Sequence, residues 1–300
     1  MTDDQQAEDQ DIAPVWPVHD DLSQILTRVV RSRKSREAAK RLANSPETRA
    51  YLDAGLRLIA EQLTAPTAEP EDGDLNSRNR PFFAWLSRKK VLEETERAAT
   101  ARAQAMKIII NDGNFRDRWE YQPEYIEDLL AYSLWTVHWS GHVTTAQDSA
   151  AALTTGEDLA DAIHELAYLE MRNVVNNPAH RVSVIGSAMA DRDARAREMV
   201  AQTYQILLAS WKQLYIDTIE ARGLTLRPDI SIDDLANMLA AMADGIGLRL
   251  IAERDDTNLI DHAKRRSLLG KAAMALVVSC VDAGDGLSLD ELVRLFTPES

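Results

Sequence analysis

Three hundred residues, 45% apolar and 27% charged, suffice for one large or two modest helical domains with a proper core, and a net charge of −14 argues against indiscriminate nucleic-acid binding. The acidic, glutamine-bearing start has neither the basic nor the apolar stretch of a secretory signal, and the longest apolar run, Ala272 to Val281, falls far short of the roughly 20 residues that span a bilayer, so a cytoplasmic chain without a membrane partner is expected. The single cysteine, Cys280, lies in that run; it excludes a disulfide framework or a thiolate zinc site and is expected to be a core thiol.

Residues 1–20 are acidic, with Trp16 between Pro14 and Pro17, and read as a disordered tail. Residues 21–96 form a basic helical region. From Arg28 to Arg49 it carries eight basic residues against Glu37 and Glu47, and Arg78, Arg80, Arg88, Lys89 and Lys90 make a second cluster. Within it, Leu52, Leu56, Ile59 and Leu63 recur at helical spacing behind Ser45-Pro46, which suit an N-cap and the first helical position. The stretch Thr64–Arg80, with two prolines and a glycine, predicts a long loop, and Phe82 to about Ile110 predicts a helix stopping at Asn111-Asp112-Gly113.

Residues 97–145 read as an acidic three-helix head. A short helix follows Pro123, and Ser133 to Ser140 is an aromatic-rich element, helix or strand, ending at Gly141. Residues 146–300 show the clearest periodicity. Helices are predicted at about 157–175, after Pro178, and at 192–222, the last with Val200, Tyr204, Leu207, Trp211, Leu214 and Thr218 on one stripe. A further helix over 232–253 carries Ile232, Leu235, Leu239, Met242 and Ile246, another covers 263–282, and Ser288 with Glu291 forms a capping box. Nothing suggests a β-α alternation, a hairpin or a repeat, so the fold class is all-α.

The segment Ala221-Arg-Gly-Leu-Thr-Leu-Arg-Pro-Asp-Ile-Ser-Ile-Asp-Asp-Leu-Ala236, followed by Ala243-Asp-Gly-Ile-Gly-Leu-Arg249, resembles the C-terminal ligand-binding and dimerisation domain of TetR-family transcriptional regulators. The resemblance covers about 154–296 and implies a multi-helix bundle of TetR-like type, here with an extra N-terminal helical region. It also implies a homodimer through the last two long helices and a three-helix DNA-binding head upstream. Region 97–145 has the length and position of that head, matched as Ala101–Asp112, Tyr125–Ala131 and Ser133–Trp139, but its acids outnumber its bases and it offers few phosphate contacts.

DNA contact is therefore expected from the basic N-terminal third, through Arg36, Lys40, Arg41, Ser45, Thr48, Arg49, Arg78, Arg80, Arg88, Lys89 and Lys90. Arg36 to Gly55 resembles a small helix-turn-helix of the excisionase kind, with Thr48 and Arg49 near the start of its second helix, where groove-reading residues lie. An exclusive alternative takes Ser45–Leu63 as the first helix of a TetR-type head with Arg80–Lys90 as its aromatic recognition end, and a plain solvated helix face is the third reading. Trp135, Trp139, Tyr168, Tyr204 and Trp211 are candidates to line a pocket for a small apolar effector, with plain core packing as the alternative.

No catalytic residue, metal ligand or cofactor is expected. His138 and His142 are four apart but lack the glutamate of a metalloprotease pair, His164-Glu165 has no nucleophile assigned to it, and no glycine-rich phosphate loop exists. The chain thus reads as a DNA-binding regulator responsive to a small apolar ligand; the rival is a helical interaction protein that keeps the dimer scaffold without reading DNA.

Overall fold

Serine caps open the helices that start at Arg36 and Pro46. The structure, a computed structural model, describes residues 21–31, 35–64, 86–99, 108–191, 194–253 and 256–296, and among these it is almost entirely helical. A 3-10 turn at Leu22–Gln24 and α1 (Thr27–Arg31) precede α2 (Arg36–Ala43) and α3 (Pro46–Thr64). The Ser35 hydroxyl accepts the Ala38 N–H at 3.3 Å, and Ser45 accepts that of Thr48 at 3.3 Å, with Pro46 where its missing N–H is harmless. Next come α4 (Arg88–Ala99), α5 (Asp112–Arg116) and α6 (Gln122–Ser133). The expected loop at 65–80 and helix portion at 100–107 lie outside the described residues, as does the tail at 1–20.

This N-terminal lobe has an aromatic core. Tyr51, Phe115, Trp119 and Tyr125 are buried, with ring centroids 5.0 to 6.3 Å apart, in edge-on and tilted pairs. Asp128 on α6 caps α1 from across the lobe. Its Oδ1 accepts the Thr27 and Arg28 amides at 2.9 and 3.0 Å, and its Oδ2 accepts the Val29 amide and the Trp119 indole N–H, each at 3.0 Å. One hydrophobic cluster runs from Leu22 through Tyr51 and Phe115 to Trp135, so the regions expected at 21–96 and 97–145 share a core.

The C-terminal lobe begins where a 3-10 turn, Thr136–Trp139, runs straight into α7 (Ser140–Thr155). Gly141 therefore lies inside a helix instead of ending the element. Then follow α8 (Leu159–Asn176), α9 (Pro178–Met189), α10 (Ala194–Ala221) and α11 (Ile232–Ala252). Asn177 caps α9 and also donates to the His138 carbonyl at 2.9 Å, fixing the α8–α9 corner against the 3-10 turn. In α11, Ser231 and Asp234 cap each other's backbone, and Asp233 adds a second carboxylate to the positive helix end.

Two short strands, Ile260–Asp261 and Arg266–Ser267, pair antiparallel ahead of α12 (Leu268–Cys280), so the helix expected from 263 begins only at Leu268. The physical reason is local. Arg265 turns the chain at φ 51°, and Ser267 caps the new helix through the Gly270 N–H. A final helix, α13 (Leu289–Arg294), opens on the expected Ser288–Glu291 box. Cys280 is buried, as a core thiol should be, and burial pushes its thiol up.

Arg227, within the Leu-Arg-Pro turn, is itself buried. It donates from Nε to the Ser279 carbonyl at 2.8 Å and from NH1 to Asp285 Oδ1 at 2.8 Å and the Leu287 carbonyl at 2.9 Å. The turn is thereby bolted to the carbonyl end of α12. Gly223, at φ 62°, ends α10 in a conformation that disfavours any side chain.

The α11 stripe points inward. Leu235, Leu239 and Ile246 are buried against α8, α10 and α12, so this stripe is occupied within the chain and is not the free seam expected for a second subunit. The outward face carries Ala241, Gly245 and Leu248. The mean hydropathy of α11 reaches 1.4 over 18 residues, enough by length and composition alone to cross a bilayer.

Candidate ligand cavity

Helices α7 to α12 line a half-open cavity of about 170 Å³. An apolar cavity of about 150 Å³ accepts a benzene ring, so this one has room for a compact organic body. Its walls follow from the stripes of four helices. Leu159, Ile163 and Leu166 come from α8, Leu207, Leu208 and Trp211 from α10, Leu235 and Leu239 from α11, and Leu269 and Ala273 from α12. Helical periodicity aims each stripe at the same interior, and these small and branched side chains stop short of filling it.

Among the polar groups bordering the cavity are Trp139, His142 on α7, Glu170 on α8, His180 on α9, Tyr204 on α10 and Asp244 on α11. His142 Nδ1 lies 2.5 Å from Glu170 Oε1. Trp139 packs on both imidazoles, with centroids 5.4 Å from His142 and 6.0 Å from His180. Burial, helped by His142 and Arg181, pulls His180 down to about 4, which keeps its ring neutral at pH 7. The Tyr204 hydroxyl donates to Asp244 Oδ2 at 2.6 Å; burial pushes both groups up.

Four atoms here are buried and have no hydrogen-bond partner: Trp139 Nε1, His142 Nε2, Glu170 Oε2 and His180 Nε2. Buried polar atoms are normally satisfied, because an orphan forfeits its hydration for nothing, at roughly 1–3 kcal/mol each. Four around one cavity form a polar pole in an otherwise apolar chamber.

Of the five aromatic residues expected to line a pocket, Trp139, Tyr204 and Trp211 do so. Trp135 and Tyr168 do not. Trp135 belongs to the N-terminal core, with the Arg49 guanidinium 5.6 Å from its ring, and Tyr168 sits in a separate cluster with its hydroxyl 3.1 Å from His262 Nδ1. His142, Glu170, His180 and Asp244 were not among the residues expected here. One signal was readable for Glu170: it falls on the apolar stripe of α8, with Ile163, Leu166, Ala167 and Val174, where a carboxylate has no solvent.

The expected DNA-contacting residues separate into two groups. Ser45, Thr48 and Arg49 are used internally. Arg118, itself buried, donates from Nε to the Thr48 hydroxyl at 2.7 Å and from NH2 to that of Ser45 at 2.8 Å, and Thr48 in turn donates to the Leu42 carbonyl at 2.7 Å. Thr48 is 0% exposed and Arg49 8%, so neither presents its side chain to a groove. By contrast Arg36, Lys40 and Arg41 on α2 and Lys89 and Lys90 on α4 are exposed, Lys40 pairing with Asp21 at 3.2 Å and Lys89 approaching Glu93 at 3.7 Å. Arg88 is half-buried and pairs with Asp112 at 2.7 Å. Arg78 and Arg80 lie outside the described residues.

No family model, curated protein or solved structure matches this chain. The cavity must therefore be read from its own chemistry. Among the described residues no three metal-binding side chains converge, and no serine or cysteine lines the chamber beside His142. What the arrangement offers is an apolar cleft with a hydrogen-bonding end.

Proposed function

We propose that this chain is a small-molecule-binding regulator that takes a compact, mainly apolar effector into the α7–α12 cavity and contacts DNA through its N-terminal lobe, in the manner of the TetR family that its 221–249 segment resembles. The observation that carries the reading is the half-open apolar cavity lined by residues with orphaned polar atoms, an arrangement that favours a ligand over an empty core.

A physical route for the response is present. His180 borders the cavity while Val182, on the same helix, belongs to the N-terminal core, and Thr203 of α10 donates to the Leu134 carbonyl at the end of α6 at 2.8 Å. A ligand that moves α9 or α10 thus pushes on the lobe that carries the exposed bases Arg36, Lys40, Arg41, Lys89 and Lys90. The apolar outer residues Leu248 on α11 and Val278 on α12, 45% and 76% exposed, are the surface we assign to a second copy.

The rival is a helical interaction protein that binds the ligand without DNA, and the burial of Thr48 and Arg49, with Ser45 held by Arg118, favours it. A salt titration on DNA from the promoter region decides between them. Each phosphate neutralised contributes about −0.9 to the slope of log affinity against log salt. Replacing Lys89 and Lys90 together by Ala should flatten that slope; wild type that binds no DNA at low salt leaves the interaction protein.

A further inference from the structure

We infer that the polar pole of the cavity is a hydroxyl site, so that the effector is a compact apolar molecule carrying an alcohol or phenol group. The inference rests on the cavity being the ligand site proposed above. Trp139, His142, Glu170 and His180 are 6%, 4%, 8% and 4% exposed, and each presents one buried polar atom without a partner. The kinds of atom decide the chemistry. Trp139 Nε1 can only donate. Glu170 Oε2, the carboxylate oxygen not used by His142, accepts. His142 turns Nδ1 to Glu170 Oε1, and its Nε2 accepts or donates according to whether the ring is neutral or protonated. His180 Nε2 serves as either.

A group that matches both kinds of orphan therefore accepts from Trp139 and donates to Glu170. A hydroxyl does both. A carboxylate cannot donate and would lie beside Glu170 and Asp244, while an ammonium cannot accept and leaves the indole N–H unmatched. The second acid makes no competing demand, because neither Asp244 oxygen is a buried orphan and its Oδ2 takes the Tyr204 hydroxyl at 2.6 Å. The remaining walls are aliphatic or aromatic, and about 170 Å³ suits a single substituted ring.

The test is calorimetric titration of the full chain with four molecules that share one ring: toluene, p-cresol, p-toluate and 4-methylbenzylammonium. p-Cresol should bind about tenfold more tightly than toluene, the gain expected of one or two net hydrogen bonds, and more tightly than either ion. Trp139→Phe keeps an aromatic ring and removes the donor, so it should abolish the preference for p-cresol while toluene still binds. Glu170→Gln provides a second measurement if Trp139→Phe fails to fold, and it should reduce the preference in the same way. Toluene binding as tightly as p-cresol overturns the hydroxyl site and leaves the cavity reading intact. So does tightest binding by either ion, or a preference for p-cresol that survives both substitutions. If none of the four binds, the cavity is not a ligand site and both readings fall.

Discussion

Asp128→Asn is nearly isosteric, yet it should cost several times what a surface substitution costs. Each oxygen of Asp128 accepts two donors, Thr27 and Arg28 N–H on Oδ1, and Val29 N–H and the Trp119 indole on Oδ2, at 2.9 to 3.0 Å. The side chain is 0% exposed, so no water can step in. In asparagine one of the two positions becomes an NH2 group, and whichever it is, two donors then face a donor. Orphaning a buried donor costs about 1–3 kcal/mol. Burial already pushes the Asp128 carboxyl up, so losing the charge returns part of that cost. The net expectation is about 2–4 kcal/mol. Urea unfolding followed by tryptophan fluorescence measures it, and hydrogen exchange at Thr27, Arg28 and Val29 supplies a local readout, since either the first two amides or the third loses its acceptor. A loss under about 1 kcal/mol with unchanged protection at those amides would refute the reasoning.

Acid should weaken the fold through His138 and His180, which burial pulls down to about 4. The unfolded chain takes these protons near pH 6.5, so their contribution is fully present above about 6.5 and is lost as pH falls toward 4, by roughly 3 kcal/mol per histidine. Unfolding curves from pH 7 to 4 check this, and His180→Gln should flatten the fall; an unchanged slope counts against a buried neutral ring. Gly55→Ala should destabilise by about 3 kcal/mol, because the new Cβ would sit 2.2 Å from the Tyr125 hydroxyl and 2.7 Å from Leu129 Cδ2, breaking the buried bond from that hydroxyl to the Tyr51 carbonyl. Thermal or urea denaturation reads it, and a neutral result would show that the α3–α6 contact is looser than described. Leu248→Asp with Val278→Asp should turn a dimer into a monomer without lowering helicity. Sedimentation checks this, and a wild-type mass near the 33.5 kDa of one chain at micromolar concentration rules the dimer out.

Helical periodicity and capping chemistry by themselves determined much of this protein. The stripes of α10 and α11, the Ser45-Pro46 start and the Ser288–Glu291 box are local in sequence, and each falls where 3.6-residue spacing or a side-chain cap puts it. Helix α7 was illegible because its apolar positions trace no stripe among Gly141, Thr144, Thr145, Thr154 and Thr155; it is helical because α8 and α10 pack against it. Periodicity also says which face of α11 is apolar, but not what covers it. Only the tertiary structure turned Ile246 inward and left Leu248 outside. Thr48 and Arg49 looked like groove readers until Arg118, 70 residues from Thr48, and Trp135 filled the space in front of them. The polar pole is of the same kind. His142 and Glu170 lie 28 residues apart on different helices, His180 on a third, and no spacing rule joins them, since their meeting depends on how α7, α8 and α9 cross.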